Sequence, residues 1–251
     1  MSIERLYSRQ AVRECLRAKR RVIHRLLIGE GVEDAPVIRE IRTLAHDRRA
    51  PIVTVKRDFL ATVSRETQGV ALEVEGYPYV ELDAIFDQAT ARGEAPFLLV
   101  LDGLQDPHNV GSLIRTADAA GVHGVVIGTR RSAGVTPAVV NTSSGAAEHM
   151  HIAQVVNLAR ATRQIKARDV WVAVLDGAAK QTLYEADLRG GLALTIGGEG
   201  EGVHRLTRDT ADFILSLPMR GQVESLNAAV AGAIALFEAV RQRGRSGERG
   251  R

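Results

Sequence analysis

The sequence predicts an α/β protein: a parallel sheet covered by helices on both faces, preceded by a smaller α/β unit. Three observations predict it. From residue 97 onward, short apolar runs alternate with stretches of helical period. Those runs are apolar along their whole length, as strands buried on both faces are. The pattern also breaks near residues 77–96, where Gly76-Tyr77-Pro78-Tyr79 and Gly93-Glu94-Ala95-Pro96 flank a polar helical stretch from Glu81 to Arg92. The break predicts a first domain over 1–76, a linker over 77–96 with some helix, a second domain over 97–243, and a disordered basic tail over 244–251.

In the first domain, residues 8–20 carry Val12, Leu16 and Lys19 or Arg20 at turn spacing, which predicts a helix. Strands are predicted over 22–28, 52–55 and 69–74, and a second helix over 37–45. The first helix is basic, with Arg9, Arg13, Arg17, Arg20 and Arg21, and is the candidate RNA-binding surface. Nothing in this domain resembles a catalytic constellation. In the second domain, strands are predicted over 97–101, 125–127, 152–155, 170–175, 192–196 and 213–217. Helices are predicted over 109–120, 137–141, 158–167, 203–209 and 225–241. Ligands of such sheets bind beyond the carboxyl ends of the strands. That rule brings Asp102–Asn109, Gly197–Gly202 and Pro218–Ser225 to one rim.

Composition narrows the function classes. With 251 residues, 45% of them hydrophobic and 25% charged, the chain can bury a core and stay in solution. No apolar run approaches the roughly 20 residues of a membrane helix. The arginine-studded first residues lack the apolar stretch of a secretory signal. The single cysteine, Cys15, excludes disulfide scaffolds and cysteine-rich zinc sites and fits a reducing cytoplasm. Residues 1–60 carry 14 Lys and Arg against 8 Asp and Glu, and residues 241–251 carry 5 Arg against Glu248. An acidic middle between basic ends suits contact with a polyanion, although charge alone is also what a solvated face looks like. Aromatics, at 4%, are too few for successive base stacking, so phosphate and RNA shape are the expected contacts.

Three segments carry the chemistry. In the first, Leu101 to Gly121, Asp106 can cap a helix that has Pro107 in its first turn and Gly121 at its end. Val110, Leu113, Ile114, Ala117 and Gly121 form its apolar stripe, and periodicity puts Asn109, Ser112, Arg115 and Thr116 on the opposite face. By periodicity alone, Arg115 is a solvated arginine. The second segment, Thr195-Ile-Gly-Gly-Glu-Gly-Glu-Gly-Val203, follows a strand and lets a ligand approach its backbone closely. A Gly-x-Gly-x-Gly turn of the Rossmann-like methyltransferase type, through Gly198, Gly200 and Gly202, is rejected. It comes late in the chain, and the next strand ends Ser216-Leu217-Pro218-Met219, without the acid that would hold ribose hydroxyls. In the third segment, Leu217 to Val240, Ser225 or Asn227 is placed to cap a helix that is small and apolar almost all round. Such a helix is buried on several sides, either in the core or against a second subunit.

In order and spacing, the N-x-G-x-x-x-R of the first segment (Asn109, Gly111, Arg115), the G-x-E-G-x-G of the second and the P-M-x-G-x-V-x-S-L-N of the third resemble the SpoU (TrmH-like) family of SPOUT RNA methyltransferases. The resemblance covers about residues 97–243. Tyr7-Ser8-Arg9-Gln10-Ala11-Val12 and Thr67-Gln68-Gly69-Val70 resemble the small RNA-binding domain of the RlmB subgroup, with Ser8 where a glycine is usual. The third segment has Asn227-Ala228-Ala229 where many relatives have Asn-Val-Ser.

The resemblance implies a trefoil knot at the C-terminal end of the sheet and a homodimer joined through the last helix. It implies S-adenosylmethionine as cofactor, held by Thr195, Gly197, Gly198, Glu199, Gly200, Leu217, Met219, Leu226 and Asn227. It implies 2′-O-methylation of a ribose, expected to be a guanosine in 23S rRNA, with Arg115, Asn109, Glu199, Ser225 and Asn227 as the catalytic set and no metal. The alternatives are the same chemistry on tRNA or another rRNA site, and a non-catalytic RNA-binding or ribosome-assembly protein that keeps the fold. A nucleotide-binding oxidoreductase is disfavoured by the missing acid after 213–217.

Overall fold

A computed structural model describes residues 3–198, 200, 202–223 and 225–247, with side chains through residue 244. In chain order the elements are β1 (Ile3–Tyr7), α1 (Arg9–Ala18), β2 (Ile23–Gly29), α2 (Pro36–Asp47), β3 (Ile52–Val55), α3 (Arg57–Val63), β4 (Val70–Glu75), α4 (Leu82–Arg92), β5 (Phe97–Asp102) and α5 (Pro107–Ala119). They continue with β6 (Gly124–Gly128), α6 (Pro137–Thr142), β7 (Ile152–Val155), α7 (Leu158–Lys166), β8 (Trp171–Leu175), β9 (Gln181–Thr182), β10 (Leu192–Gly197), α8 (Arg205–Arg208), β11 (Phe213–Ser216) and α9 (Ala228–Gly247). No helix among the described residues is long and apolar enough to cross a membrane.

The chain divides into two units. One comprises Met1–Pro78 with Val135–His149, and the other Tyr79–Gly134 with Met150–Arg251. This corrects the predicted division in two places. Residues 79–96 are no linker: α4 buries Ile85, Phe86 and Ala89 in the second unit, and Ile85 and Phe86 pack with Leu98, Val100 and Val126. Residues 135–149, including the predicted helix over 137–141, leave the second unit and pack in the first.

The first unit is a four-stranded sheet in the order β1-β4-β2-β3, antiparallel except for β2 with β3. Ser8 begins α1 with φ 73°, in the left-handed region where glycine is favoured. That conformation explains why a glycine is the more usual residue there. The five arginines of the predicted first helix, of which Arg20 and Arg21 lie beyond the end of α1, do not form the predicted RNA surface as a set. Arg21 is fully buried. Its guanidinium donates to both oxygens of Glu148 at 2.8 and 3.0 Å and to Glu4 at 2.7 Å. A buried arginine with all its charge matched cannot reach a phosphate. Arg20 lies over the Tyr77 ring and donates to the Tyr77 hydroxyl. Arg13 and Arg17 are paired with Glu14 and Glu40, so most of the helix's charge is spent inside the unit. Arg9 is partly exposed and donates to the Gln68 carbonyl at 3.1 Å.

The second unit is a seven-stranded, all-parallel sheet in the order β7-β6-β5-β10-β8-β11-β9. Its central strands are buried end to end, as continuous apolar runs require. α9 lies against α5 so closely that a Cβ on Gly232 would stand 2.4 Å from a methyl of Leu113. α9 also continues through Gly247, so 244–247 is helical and not a disordered tail; 248–251 lie outside the described residues.

The buried ring of His123 makes this unit sensitive to acid. Its Nδ1 accepts from the Phe97 N–H at 3.0 Å, and its Nε2 pairs with Glu94 at 3.1 Å. Burial, helped by the nearby charge of Arg92, holds its pKa below the ordinary value of 6.5. Below that pH the unfolded chain takes up a proton that the folded ring resists. This contribution to stability is therefore complete above about pH 6.5 and declines as pH falls through the lowered value. Thermal melts from pH 7.5 to 5 should show a falling Tm, with a shallower slope in His123→Gln.

Candidate functional site

The first segment leaves the sheet at the carboxyl end of β5, and Asp106 caps α5 by accepting the His108 N–H at 3.0 Å. The second leaves at the adjacent end of β10. The two are in direct contact, because the Gly198 N–H donates to the Asp102 carbonyl at 3.0 Å. A Cβ on Gly198 would stand 2.4 Å from the Gly103 carbonyl oxygen, and one on Gly197 would stand 2.1 Å from the Gly202 carbonyl carbon. These glycines are there because backbone passes against backbone.

The third segment closes on both. The Asn227 amide donates to Asn109 Oδ1 at 2.8 Å, while its own Oδ1 accepts the N–H groups of Ala229 and Val230 at 2.9 and 3.2 Å. Asn227, not Ser225, is therefore the cap of α9. The same bond corrects the placement of Asn109. It is buried at 8% exposure, not on the outer face that helical period assigns it. Between the second and third segments lies a cavity of about 620 Å³. Gly197, Gly198, Gly200, Leu217, Met219, Ser225, Leu226 and Asn227 all line it, as do Leu175, Ile196 and Leu215.

Two predicted site residues, Thr195 and Arg115, stand away from the cavity lining. Thr195 is completely buried in β10 between Val100 and Val174, so it supports the strand and does not line the cavity. Glu199 lies outside the described residues. Arg115 is on the exposed face of α5 and is not among the residues lining the cavity of this chain.

The structure adds residues that sequence reasoning missed. Asp102, only 3% exposed, accepts the His204 backbone N–H at 3.0 Å through one oxygen and pairs with the His204 ring Nδ1 at 2.7 Å through the other. This grips the chain just after the glycine segment. Asp176 and Arg208 also line the cavity and form an ion pair at 3.1 Å. Asp102 lies within the first segment, at the rim the sequence predicts, and could have been given a role as a charge ending an apolar strand. Nothing in sequence separates Asp176 from ordinary turn residues.

A cavity that joins leucine and isoleucine side chains to polar groups and glycine backbone suits a flat aromatic ligand with a polar tail. Comparisons with known proteins agree in kind. Residues 96–237 match the SpoU rRNA Methylase family, and residues 6–80 match the RNA 2′-O ribose methyltransferase substrate-binding family. The 23S rRNA (guanosine-2′-O-)-methyltransferase RlmB of Pseudomonas putida is 39% identical over 96% of this chain and 97% of its own length. A Bacillus subtilis protein, YacO, provisionally named a TrmH family tRNA/rRNA methyltransferase, is 41% identical over 96% of both chains. Among solved structures, the SpoU methyltransferase AviRb of Streptomyces viridochromogenes in complex with AdoMet superposes with a TM-score of 0.81 at 25% identity, covering 95% of this chain and 89% of that one.

Proposed function

This chain belongs to the SpoU rRNA methylase family and is an S-adenosylmethionine-dependent RNA 2′-O-methyltransferase, and we propose that it modifies a guanosine ribose in 23S rRNA. One observation carries the reading at the level of the site: three segments far apart in sequence line or brace a single cavity at the carboxyl rim of a parallel sheet. The cavity fits the cofactor. Leu175, Ile196, Leu215, Leu217 and Leu226 offer an apolar slot for adenine, and the close backbone crossings at Gly197 and Gly198 fix the main chain that borders it.

The bound cofactor supplies a methyl group already activated on a sulfonium. What remains for the protein is to place the ribose oxygen in line with that methyl carbon and to manage the hydroxyl proton. Positioning of this kind is worth up to roughly 7–11 kcal/mol in ideal cases. Arg115 is the candidate for the second task. A guanidinium is not a base near neutral pH, so its role here is to bind the adjacent phosphate and stabilise developing alkoxide charge. Asn109 and Asn227, bonded to each other, tie α5 to the start of α9 and so hold Arg115 relative to the cavity. Ser225 lines the same cavity, and Glu199 is kept as a candidate on the motif alone.

The first unit is the proposed RNA-binding part, supported by its substrate-binding match and by the surface arginines left after the internal pairs are set aside. We also propose a homodimer through α9, where Val230, Ile234 and Phe237 form an exposed apolar stripe at one-turn spacing. The C-terminal segment is proposed to be threaded as the family's trefoil knot, and the chain to work in the cytoplasm, where rRNA is.

Deleting the gene and mapping ribose methylation across all rRNA and tRNA tests the substrate. The expected result is one guanosine of 23S rRNA that loses its mark and regains it with the wild-type gene. A mark lost from tRNA instead would assign the same chemistry to the other substrate.

A further inference from the structure

We propose that Asp176 binds the vicinal hydroxyls of the cofactor's ribose, an assignment that rests on the methyltransferase reading of the cavity. Asp176 follows the last residue of β8, the strand hydrogen-bonded to β10 on one side and β11 on the other. β10 runs into the glycine segment, and β11 runs into Leu217 and Met219. Asp176 therefore stands between the two loops that wall the cavity, and it lines the cavity itself.

In nucleotide-binding parallel sheets, an acid at the end of the strand beside the glycine turn accepts the ribose hydroxyls. Chain order conceals that acid here. The strand after β10 in sequence is β11, which ends without one. Two strands flank β10 in space: β5, whose terminal Asp102 is engaged through both oxygens by His204, and β8, which is followed directly by Asp176.

The carboxylate is prepared for this role. One oxygen accepts the Ala178 N–H at 2.9 Å and the other pairs with Arg208 at 3.1 Å, so the side chain is fixed from both ends. Each carboxylate oxygen has a second acceptor direction, and an ionised carboxylate can only accept. The matching ligand group is a pair of adjacent donors, which is what a vicinal diol offers. Arg208 lines the same cavity and cancels the charge of Asp176. The pair therefore favours neutral hydroxyls over the cofactor's ammonium group.

The test is calorimetry on the full chain and on Asp176→Asn, with three probes. They are S-adenosylhomocysteine, its 2′,3′-dideoxy analogue, and 5′-methylthioadenosine, which keeps the ribose and lacks the amino-acid end. Wild type should prefer S-adenosylhomocysteine to the dideoxy analogue by about 10–100-fold, as hydrogen bonds to a charged group warrant. The variant should lose nearly all of that preference and bind the dideoxy analogue as wild type does. Its affinity for 5′-methylthioadenosine should fall as much as that for S-adenosylhomocysteine. Retained preference overturns the assignment. So does a loss confined to S-adenosylhomocysteine, which would place the contact at the amino-acid end, or an equal loss for every probe, which would mean general damage. Wild type that binds none of the three refutes the methyltransferase reading itself, an outcome distinct from failure of the Asp176 assignment.

Discussion

An Arg115→Ala chain is expected to bind S-adenosylmethionine as wild type does and to turn over RNA about 100–1,000-fold more slowly, the usual cost of removing one donor to developing oxyanion charge. Two features of the structure separate binding from turnover. Arg115 does not line the cavity, so its loss leaves the adenine slot and the glycine cradle intact. It also stands on the exposed face of α5, whose opposite face buries Val110, Leu113, Ile114 and Ala117, so truncation removes no core packing. Arg115→Lys keeps the charge but loses the planar fork that grips phosphate, and it should recover only part of the rate. Single-turnover methyl transfer with saturating cofactor, beside cofactor calorimetry, makes the measurement. Full turnover in Arg115→Ala would remove this residue from the mechanism.

Gly197→Ala should have the opposite profile, losing cofactor affinity and stability together. Its added Cβ would stand 2.1, 2.3 and 2.5 Å from Gly202 C, Val203 N and Gly202 O. All three are backbone atoms, which cannot swing aside as a side-chain tip can. Overpacking in a close-packed region costs about 1–3 kcal/mol, and here relief requires moving the segment that borders the cavity. A cofactor affinity reduced by up to about 100-fold, with a clearly lower Tm, is expected. Gly200→Ala is the matched control. Gly200 has φ +89° but nothing within 4 Å of its Cβ, so only local backbone strain is added. If the two variants behave alike, close backbone approach is not what the glycine at 197 provides.

Much of this was legible in the sequence, and for local reasons. Continuous apolar runs at 97–101, 125–127 and 192–196 could only be strands buried on both faces, and their carboxyl ends fixed where a site would lie. What was not legible depended on partners far along the chain. Arg21 reads as a surface cation until Glu148, 127 residues away, is found against it. Asn109 belongs to the outer face of its helix by period, and the partner that buries it lies 118 residues on. The helix over 82–92 reads as part of a linker because its few apolar residues make a weak stripe, yet Ile85 and Phe86 are core. Residues 135–149 continue the strand–helix rhythm without a compositional break, so nothing local marks their departure to the other unit. Asp176 is hidden for a topological reason: strand neighbours in this sheet are not sequence neighbours.

The most direct measurement is a calorimetric titration of the full chain with S-adenosylmethionine. Saturable heat at one site per chain, strongly weakened in Gly197→Ala and preserved in Arg115→Ala, is the predicted result. No heat with wild type, or heat that Gly197→Ala leaves unchanged, would contradict a cofactor pocket at the rim where the three segments meet.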